Sequence, residues 1–412
     1  MKSKNISTLF FIFFSISFLL AGSVHSQTFV LHGKVTDSAS GRPVIAASVF
    51  LSNTSVGTST NNDGSFTINN VPKGNFSLVV SSLGYATYVS TINTEKQQDA
   101  LSISLRPKSN ELSAVIVGAY DKLGWIKWDT LFMANFIGTS YFASQCIIKN
   151  PDVLKFHYSE KKNFLRVFAD EPLIIENKAL GYTIRYKLEE FTFNFANPQV
   201  YYIGFPLFQE MAGNTRKQKK WNQLRKEVYY GSTMHFMRSL YENKLSENGY
   251  EVKRYEKIPN NEKERILTLY HNYINAGHTQ QDLENILTED TANYYTKTLA
   301  QPDYVLIKKN DLLTSDSISH SKGGDSTVLQ FSNYLNVIYK NKKAPLEYLQ
   351  QTVANEFTYS TYITSQIKLL NSGALTVLYN GAYSPAQNML SAGYWGWSEK
   401  LAFLLPYDYW PQ

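Results

Sequence analysis

The chain has 412 residues and a single cysteine, Cys146. A lone thiol closes no internal disulfide, so each folded unit must stand on its own core. Cys146 lies in SQCIIKN, beside apolar residues. It is expected to be a buried, inert thiol rather than a reactive or intermolecular one. Long apolar runs are also missing: a membrane-crossing helix needs about twenty residues, and no stretch after the first twenty approaches that length. Charge of one sign is scarce. The net charge of +6 is spread along the chain, which gives no argument for nucleic acid without a concentrated patch. The seven histidines stand singly, and there is no H-E-x-x-H pair. There is no G-x-S-x-G elbow, no phosphate-cradling loop and no dinucleotide fingerprint. The only adjacent glycines, Gly323-Gly324, sit in a polar turn. No cofactor, metal or catalytic residue is expected on these grounds.

The first 26 residues carry the pattern of a secretory signal peptide. Lys2 and Lys4 make a positive start, Leu9 to Leu20 is apolar apart from two serines, and Val24-His25-Ser26 offers small residues for cleavage before Gln27. The alternative is an uncleaved N-terminal anchor. No cysteine follows the apolar run, which argues against a lipoprotein. An exported chain without disulfides fits a bacterial envelope better than a eukaryotic extracellular space.

From Gly33 to Tyr85, short β-branched and aromatic runs alternate with turn residues about every ten residues, the pattern of a small β-sandwich. Val35, Val49, Leu51, Phe66, Ile68, Phe76, Leu78 and Val80 recur at every second position within their runs, so each run turns one face to a core. Asp63-Gly64 after Asn61-Asn62 predicts a tight hairpin, and Pro72-Lys73-Gly74 a type I turn.

This stretch resembles the carboxypeptidase regulatory-like family, a transthyretin-like sandwich. The resemblance is carried by Gly33-x-Val35-x-Asp37, Gly41-x-Pro43, Ala46 to Val49, Gly57-Thr58-x-Thr60, Asp63-Gly64-x-Phe66, Val71-Pro72-x-Gly74 and Gly84-Tyr85. Asn61 and Phe76 depart from the usual Asp and Tyr. The resemblance covers about a fifth of the chain. It implies an all-β Greek-key sandwich over 27–108 that acts as an accessory module, not a peptidase. The whole chain also resembles Gram-negative envelope proteins that join this sandwich to a second domain. In TonB-dependent receptors a similar module precedes a Val-rich segment like Ala114 to Gly118, then a plug and barrel. The remaining length is too short for that barrel unless the chain is a fragment, and Ala114 to Gly118 is instead expected to be a strand opening the second domain.

Ser109 to Leu112 reads as a linker. The second domain, 109–412, reads as α+β, with strands at both ends and helices in the middle. Strands are expected at Val153 to Tyr158, Phe164 to Phe168, Leu173 to Glu176, Tyr182 to Leu188 and Phe191 to Phe195, then Val328 to Tyr339. A hairpin of Tyr362 to Leu370 with Ala374 to Tyr379 should turn at Asn371-Ser372-Gly373. Helical structure is expected over Arg216 to Val252, divided into two helices or kinked at Gly231, and over Glu262 to Ile274. Another should span Gln280 to Leu299 behind a Thr279 cap, and a short one should start at Pro345.

Candidate chemistry is thin. His157 and Glu160 have the H-x-x-E spacing of zinc carboxypeptidases, but on a strand they point to opposite faces. Ser232 and His235 share a helical turn without an evident orienting acid. Asp170-Glu171 and Glu189-Glu190 are sequence neighbours that face apart in a strand. Arg216 to Lys226 is the one dense basic run. It reads as a solvated helix face, or as a contact for membrane or lipopolysaccharide. In the tail, Tyr394, Trp395 and Trp397, with Tyr407, Tyr409 and Trp410, read as a domain seal or a sugar-stacking platform. The expectation is an exported, non-catalytic envelope protein, periplasmic or outer-membrane-associated, that binds an envelope protein or glycan and no nucleic acid. The alternatives are a carbohydrate-binding protein and a metallopeptidase-like hydrolase in the second domain.

Overall fold

The computed structural model describes residues 29–72, 74–94, 99–108, 120–196, 199–321, 326–352, 362–370 and 373–412. The expected leader, the linker, the Ala114–Gly118 strand and the Gly323-Gly324 turn lie outside them. So do Lys73 and Asn371-Ser372, and with them the turn types expected there. The chain divides into two compact units. One runs to Lys108 without Ser52–Ser55; the other holds Ser52–Ser55 and Ser109–Gln412.

The first unit is a seven-strand sandwich: β1 (Phe29–Asp37), β2 (Ser48–Leu51), β3 (Gly57–Ser59), β4 (Ser65–Val71), β5 (Asn75–Ser81), β6 (Tyr88–Asn93) and β7 (Leu101–Leu105). One sheet has the order β4-β1-β7 and the other β3-β2-β5-β6. All eight alternating residues named above are buried in one core fed by both sheets. Pairing is antiparallel except between β1 and β7, which run parallel. The turn at Asn61–Gly64 forms, with Gly64 at φ +79° and Asn61 N–H donating to Ser65 O at 2.8 Å. It is not a hairpin within one sheet, because β3 and β4 belong to opposite sheets. The turn residues specify a reversal, and strand pairing decides which sheet each flanking strand joins, β3 with β2 and β4 with β1.

The second unit begins with α1 (Gly124–Phe136), which packs on a six-stranded sheet built from β8 (Cys146–Ile148), β9 (Leu154–Ser159), β10 (Phe164–Ala169), β11 (Leu173–Asn177), β12 (Tyr182–Asn194) and β13 (Gln199–Glu210). β9 and β10 form an antiparallel hairpin, with Phe164 opposite Ser159. The two strands expected at 182–195 are one. β12 is continuous because β13, unforeseen from the sequence, pairs along its whole length, with a bulge between Leu188 and Glu190.

Two helices follow, α2 (Thr215–Tyr229) and α3 (Thr233–Tyr241). Asn214 caps α2 by accepting from Lys217 N–H at 3.0 Å. Gly231, at φ +88°, divides the two helices as expected. Tyr250 does not continue the helix; it opens β14 (Tyr250–Pro259). An excursion of α4 (Asn261–Asn275), α5 (Gln280–Ile286) and α6 (Glu289–Leu299) then leads to β15 (Tyr304–Leu313). Thr279 caps α5 through a full capping box with Asp282. The helix expected over 280–299 is two, because Thr288 restarts the chain as a second N-cap.

The remaining strands are β16 (Ser319–Ser321), β17 (Ser326–Leu329), β18 (Tyr334–Lys343), β19 (Tyr362–Leu369), β20 (Leu375–Leu378), β21 (Tyr383–Ser384) and β22 (Met389–Gly393), with α7 (Leu346–Thr352) after Pro345 and α8 (Tyr394–Ser398) near the end. They form sheets of order β15-β14-β18-β19-β22 and β16-β17-β20-β21. The run Val328 to Tyr339 is therefore two strands in different sheets, split at Asn333, which takes φ +64°. The hairpin of 362–379 is not formed either: β19 pairs with β18 and β22, and β20 with β17 and β21. A second core, from Phe236 through Trp395, lies with these sheets.

Candidate functional site

The second unit carries a cleft of about 260 Å³. The β12–β13 ladder, the helix α2 and the tail build it together with Ser55, whose N–H donates to the Asp408 carboxylate at 3.1 Å. Tyr182 and Glu210 stand opposite each other across the β12–β13 ladder. The helix α2 contributes Gln218, Asn222, Arg225 and Lys226, and the tail contributes Asp408, Tyr409 and Trp410. Residues 218, 222 and 225 are spaced i, i+4, i+7, so one face of α2 looks into the cleft.

Arg225 is the fixed point. It is 3% exposed, yet its guanidinium is fully engaged. Nε donates to Leu180 O at 2.8 Å, Nη2 to Gly181 O at 3.3 Å and Nη1 to Glu210 Oε1 at 2.7 Å. Its plane lies 3.9 Å from the centre of the Tyr182 ring. Trp221, one turn earlier, donates to Lys178 O at 3.0 Å and holds α2 against the same loop. Burial raises the Tyr182 hydroxyl, and it pushes Tyr409 up to about 12. Both phenols are therefore neutral donors at neutral pH.

A second buried arginine sets the tail. Arg238 of α3 donates from Nε to Asn380 O at 3.0 Å and from Nη2 to Tyr407 O and Tyr409 O at 3.1 and 3.0 Å. Its guanidinium sits 3.8 Å from the centre of the Trp410 indole. Trp410 remains 45% exposed at the cleft. The cleft thus pairs an indole wall with carboxylate, amide and phenol groups that donate and accept in fixed places.

The other candidates fall elsewhere. Tyr394 and Trp395 are core residues, 3% and 1% exposed. Trp395 Nε1 donates to Gly231 O at 2.8 Å, and its ring packs on Phe236. Trp397 is half-buried, between Tyr348, Tyr394 and Phe403. Tyr394 and Trp395 are thus enclosed in the core, while Trp397 stays partly exposed. His157 lies on β9 opposite Arg166, and Glu160 sits in the exposed turn. Ser232 is the N-cap of α3 and accepts from His235 N–H at 3.1 Å. His235 Nδ1 accepts from Gly231 N–H at 3.3 Å and lies 2.9 Å from Tyr250 Oη. Burial pushes this imidazole down to about 4. Glu190 pairs with Arg166 at 2.7 Å. Cys146 is buried, its thiol pushed up to about 12 by burial. Among the described residues, no group of three or more His, Cys, Asp or Glu side chains is placed to hold a metal ion. No helix among them is long and apolar enough to cross a membrane.

Tyr182 was placed on its strand but carries no site signal of its own, and Glu210 was missed because β13 was not recognised. Its alternating run VYYIGFPLF, between Gln199 and Glu210, was a usable signal. Trp410 and Arg225 were visible only as members of an aromatic tail and a basic run.

The family model of the CarboxypepD_reg-like domain matches residues 31–117. The sandwich that opens the chain thus matches a carboxypeptidase regulatory-like domain. No curated protein matches the chain. A crystal structure of a Bacteroides fragilis protein, described as of unknown function and proposed to be membrane-associated, aligns over 85% of this chain and 93% of its own, at 10% identity. Its TM-score is 0.16, too low to carry an argument about fold or function.

Proposed function

We propose that this protein is an exported, non-catalytic cell-envelope protein that binds a saccharide in the cleft walled by Trp410. The cleft carries the reading. The Trp410 indole, with Arg238 over its ring and Tyr379 stacked beside it, offers its remaining exposed surface to the C–H side of a pyranose ring. Glu210, Asp408, Gln218 and Asn222 surround it with the carboxylates and amides that hydroxyl groups need. Arg225 and Arg238 hold these walls from behind, so little side-chain freedom is lost on binding. Export rests on the leader pattern of residues 1–26, and the N-terminal sandwich supplies an accessory module.

Binding is tested by calorimetry of the purified chain against a panel of envelope saccharides. Trp410→Ala should abolish any heat and Trp410→Phe should retain it; binding untouched by Trp410→Ala removes the reading. Export is tested by fractionating cells that express the full chain. A cytoplasmic product that retains residues 1–26 contradicts it, and a mature N-terminus at Gln27 supports it.

A second reading, docking of an envelope protein, is favoured by the α4–α6 excursion, where Leu267, Leu269, Ile286 and Leu299 are exposed. Pull-downs from envelope fractions with residues 109–412, before and after charged substitutions at Leu269 and Ile286, test it. Identical capture by both counts against it.

A further inference from the structure

We infer that the saccharide is acidic, and that it runs from the Trp410 cleft onto the outer face of α2, where its anionic groups meet a row of lysines. The inference rests on the saccharide reading of the cleft. It adds the class of sugar and a second contact surface.

The observation is the division of α2 into three faces. Trp221 and Val228 point into the core, and Gln218, Asn222 and Arg225 face the cleft. Lys219, Asn222 and Lys226 are spaced i, i+3, i+7, so they form one row. Asn222 and Lys226 of that row already line the cleft. Lys219 continues it outward, with Arg216 one turn before it at i−3; Lys220, at i+1, is turned about 100° further round the helix, away from the cleft. Arg216, Lys219, Lys220 and Lys226 are all exposed. Among the described residues, none of these four makes an ion pair. The acid on the outer arc of the same helix is Glu227.

Lysines at this density with one acid among them are not arranged for helix stability. Like charges at i, i+4, as at Arg216 and Lys220, oppose each other. Cations early in a helix also oppose its dipole, and the first turn of α2 holds Arg216 and Lys217 with no acid. The outer face therefore carries an uncompensated positive field that an anionic ligand would relieve. The cleft itself is different. Arg225 is neutralised by Glu210, and Asp408 is a further acid. An anionic group is thus poorly placed inside the cleft and well placed just beyond Lys226. Seven residues separate Lys219 from Lys226, about 10 Å along the helix, a stretch that an oligosaccharide of a few rings covers. The neutral ring lies on Trp410, its hydroxyls donate to Glu210 and Asp408, and uronate, sulfate or phosphate groups of the next rings meet Lys226, Lys219 and Arg216.

The test is a glycan array with neutral oligosaccharides beside uronate-, sulfate- and phosphate-bearing ones, read with the purified full chain at low and high salt. Vesicles of anionic phospholipid are run in parallel. The proteins compared are the natural sequence, Trp410→Ala, Trp410→Phe and the lysine variant Lys219→Glu. The inference expects acidic glycans to be bound in preference to neutral ones, and binding to weaken with salt. It expects Trp410→Ala and the lysine variant each to lose about tenfold or more in affinity, with Trp410→Phe close to the natural sequence. Equal binding of neutral and acidic glycans, lost with Trp410→Ala but not with the lysine variant, overturns the acidic class and leaves the saccharide cleft standing. Acidic glycans held undiminished by Trp410→Ala overturn both, since the helix face alone would then be acting as an ion exchanger. No glycan bound, with or without vesicle binding, overturns both as well.

Discussion

His235 shows how burial sets chemistry at the scale of one residue. Its ring is enclosed by Tyr229, Tyr230, Tyr250 and Tyr339, with ring centres 5.0–5.5 Å away. Desolvation, with Arg238 second, pushes its pKa down to about 4 from an ordinary 6.5. The folded state therefore holds this proton less tightly than the unfolded chain does. Above about pH 6.5 the imidazole is neutral in both states and contributes no pH dependence. As the pH falls from 6.5 to 4 the unfolded chain gains the proton first, and stability declines by about 3 kcal/mol in total. Urea midpoints of the natural sequence should fall across this window, and His235→Gln should flatten part of the slope. An unchanged slope in the variant contradicts the assignment. Arg238 makes a second prediction. Lysine cannot reproduce a planar fork that reaches Asn380 O, Tyr407 O and Tyr409 O while stacking on Trp410. Arg238→Lys should cost about 2–3 kcal/mol in chemical denaturation and should also weaken the saccharide binding proposed above, because the tail loses its anchor.

At the scale of elements, the junction of β12 with α2 is the tightest place near the cleft. Gly181, just before β12, has φ +71°, and a Cβ there would lie 2.2 Å from Trp221 Cδ2. Gly181→Ala should therefore strain the backbone and push Trp221 from its seat on Lys178 O. The expected loss is about 2–4 kcal/mol, read as a lower midpoint with near-native ellipticity. Near-neutral behaviour would show that the loop gives way easily. The caps obey more local rules. Thr279→Ala removes the side chain of the capping box and should cost about 1 kcal/mol, seen as faster amide exchange over α5. Thr279 was readable as a cap because it needs only a hydroxyl and an acid three residues on. Thr288 was missed because the apolar spacing continues across it and hides the restart.

At the scale of the whole chain, the sandwich closes its own core. Phe66 is 1% exposed and packs in a cluster that draws only on this unit. Residues 27–108 expressed alone should fold with one cooperative transition. Phe66→Ala should destabilise that fragment by about 3–5 kcal/mol, enough to unfold a domain of this size at physiological temperature. A fragment that is unfolded with its natural sequence would show that the unit depends on the rest of the chain.

Alternation of apolar residues determined, without help, that the strands between Phe29 and Leu105 form a sandwich and which side chains fill it. The reason is that a period of two is local and each strand declares its inner face. Helical spacing likewise placed α2, α3 and α4, and Gly231 marked their division. Partnership between strands was left to tertiary structure. The runs at 328–339 and 362–379 read as one strand and one hairpin, yet their halves enter different sheets, because pairing depends on which edges are free once distant strands have taken their places. The cleft was decided in the same way. Tyr182, Glu210, Arg225 and Trp410 span most of the second unit in sequence and signal nothing singly. They become a site only when β13 lies along β12, α2 packs over their end, and Arg238 ties the tail down beside them.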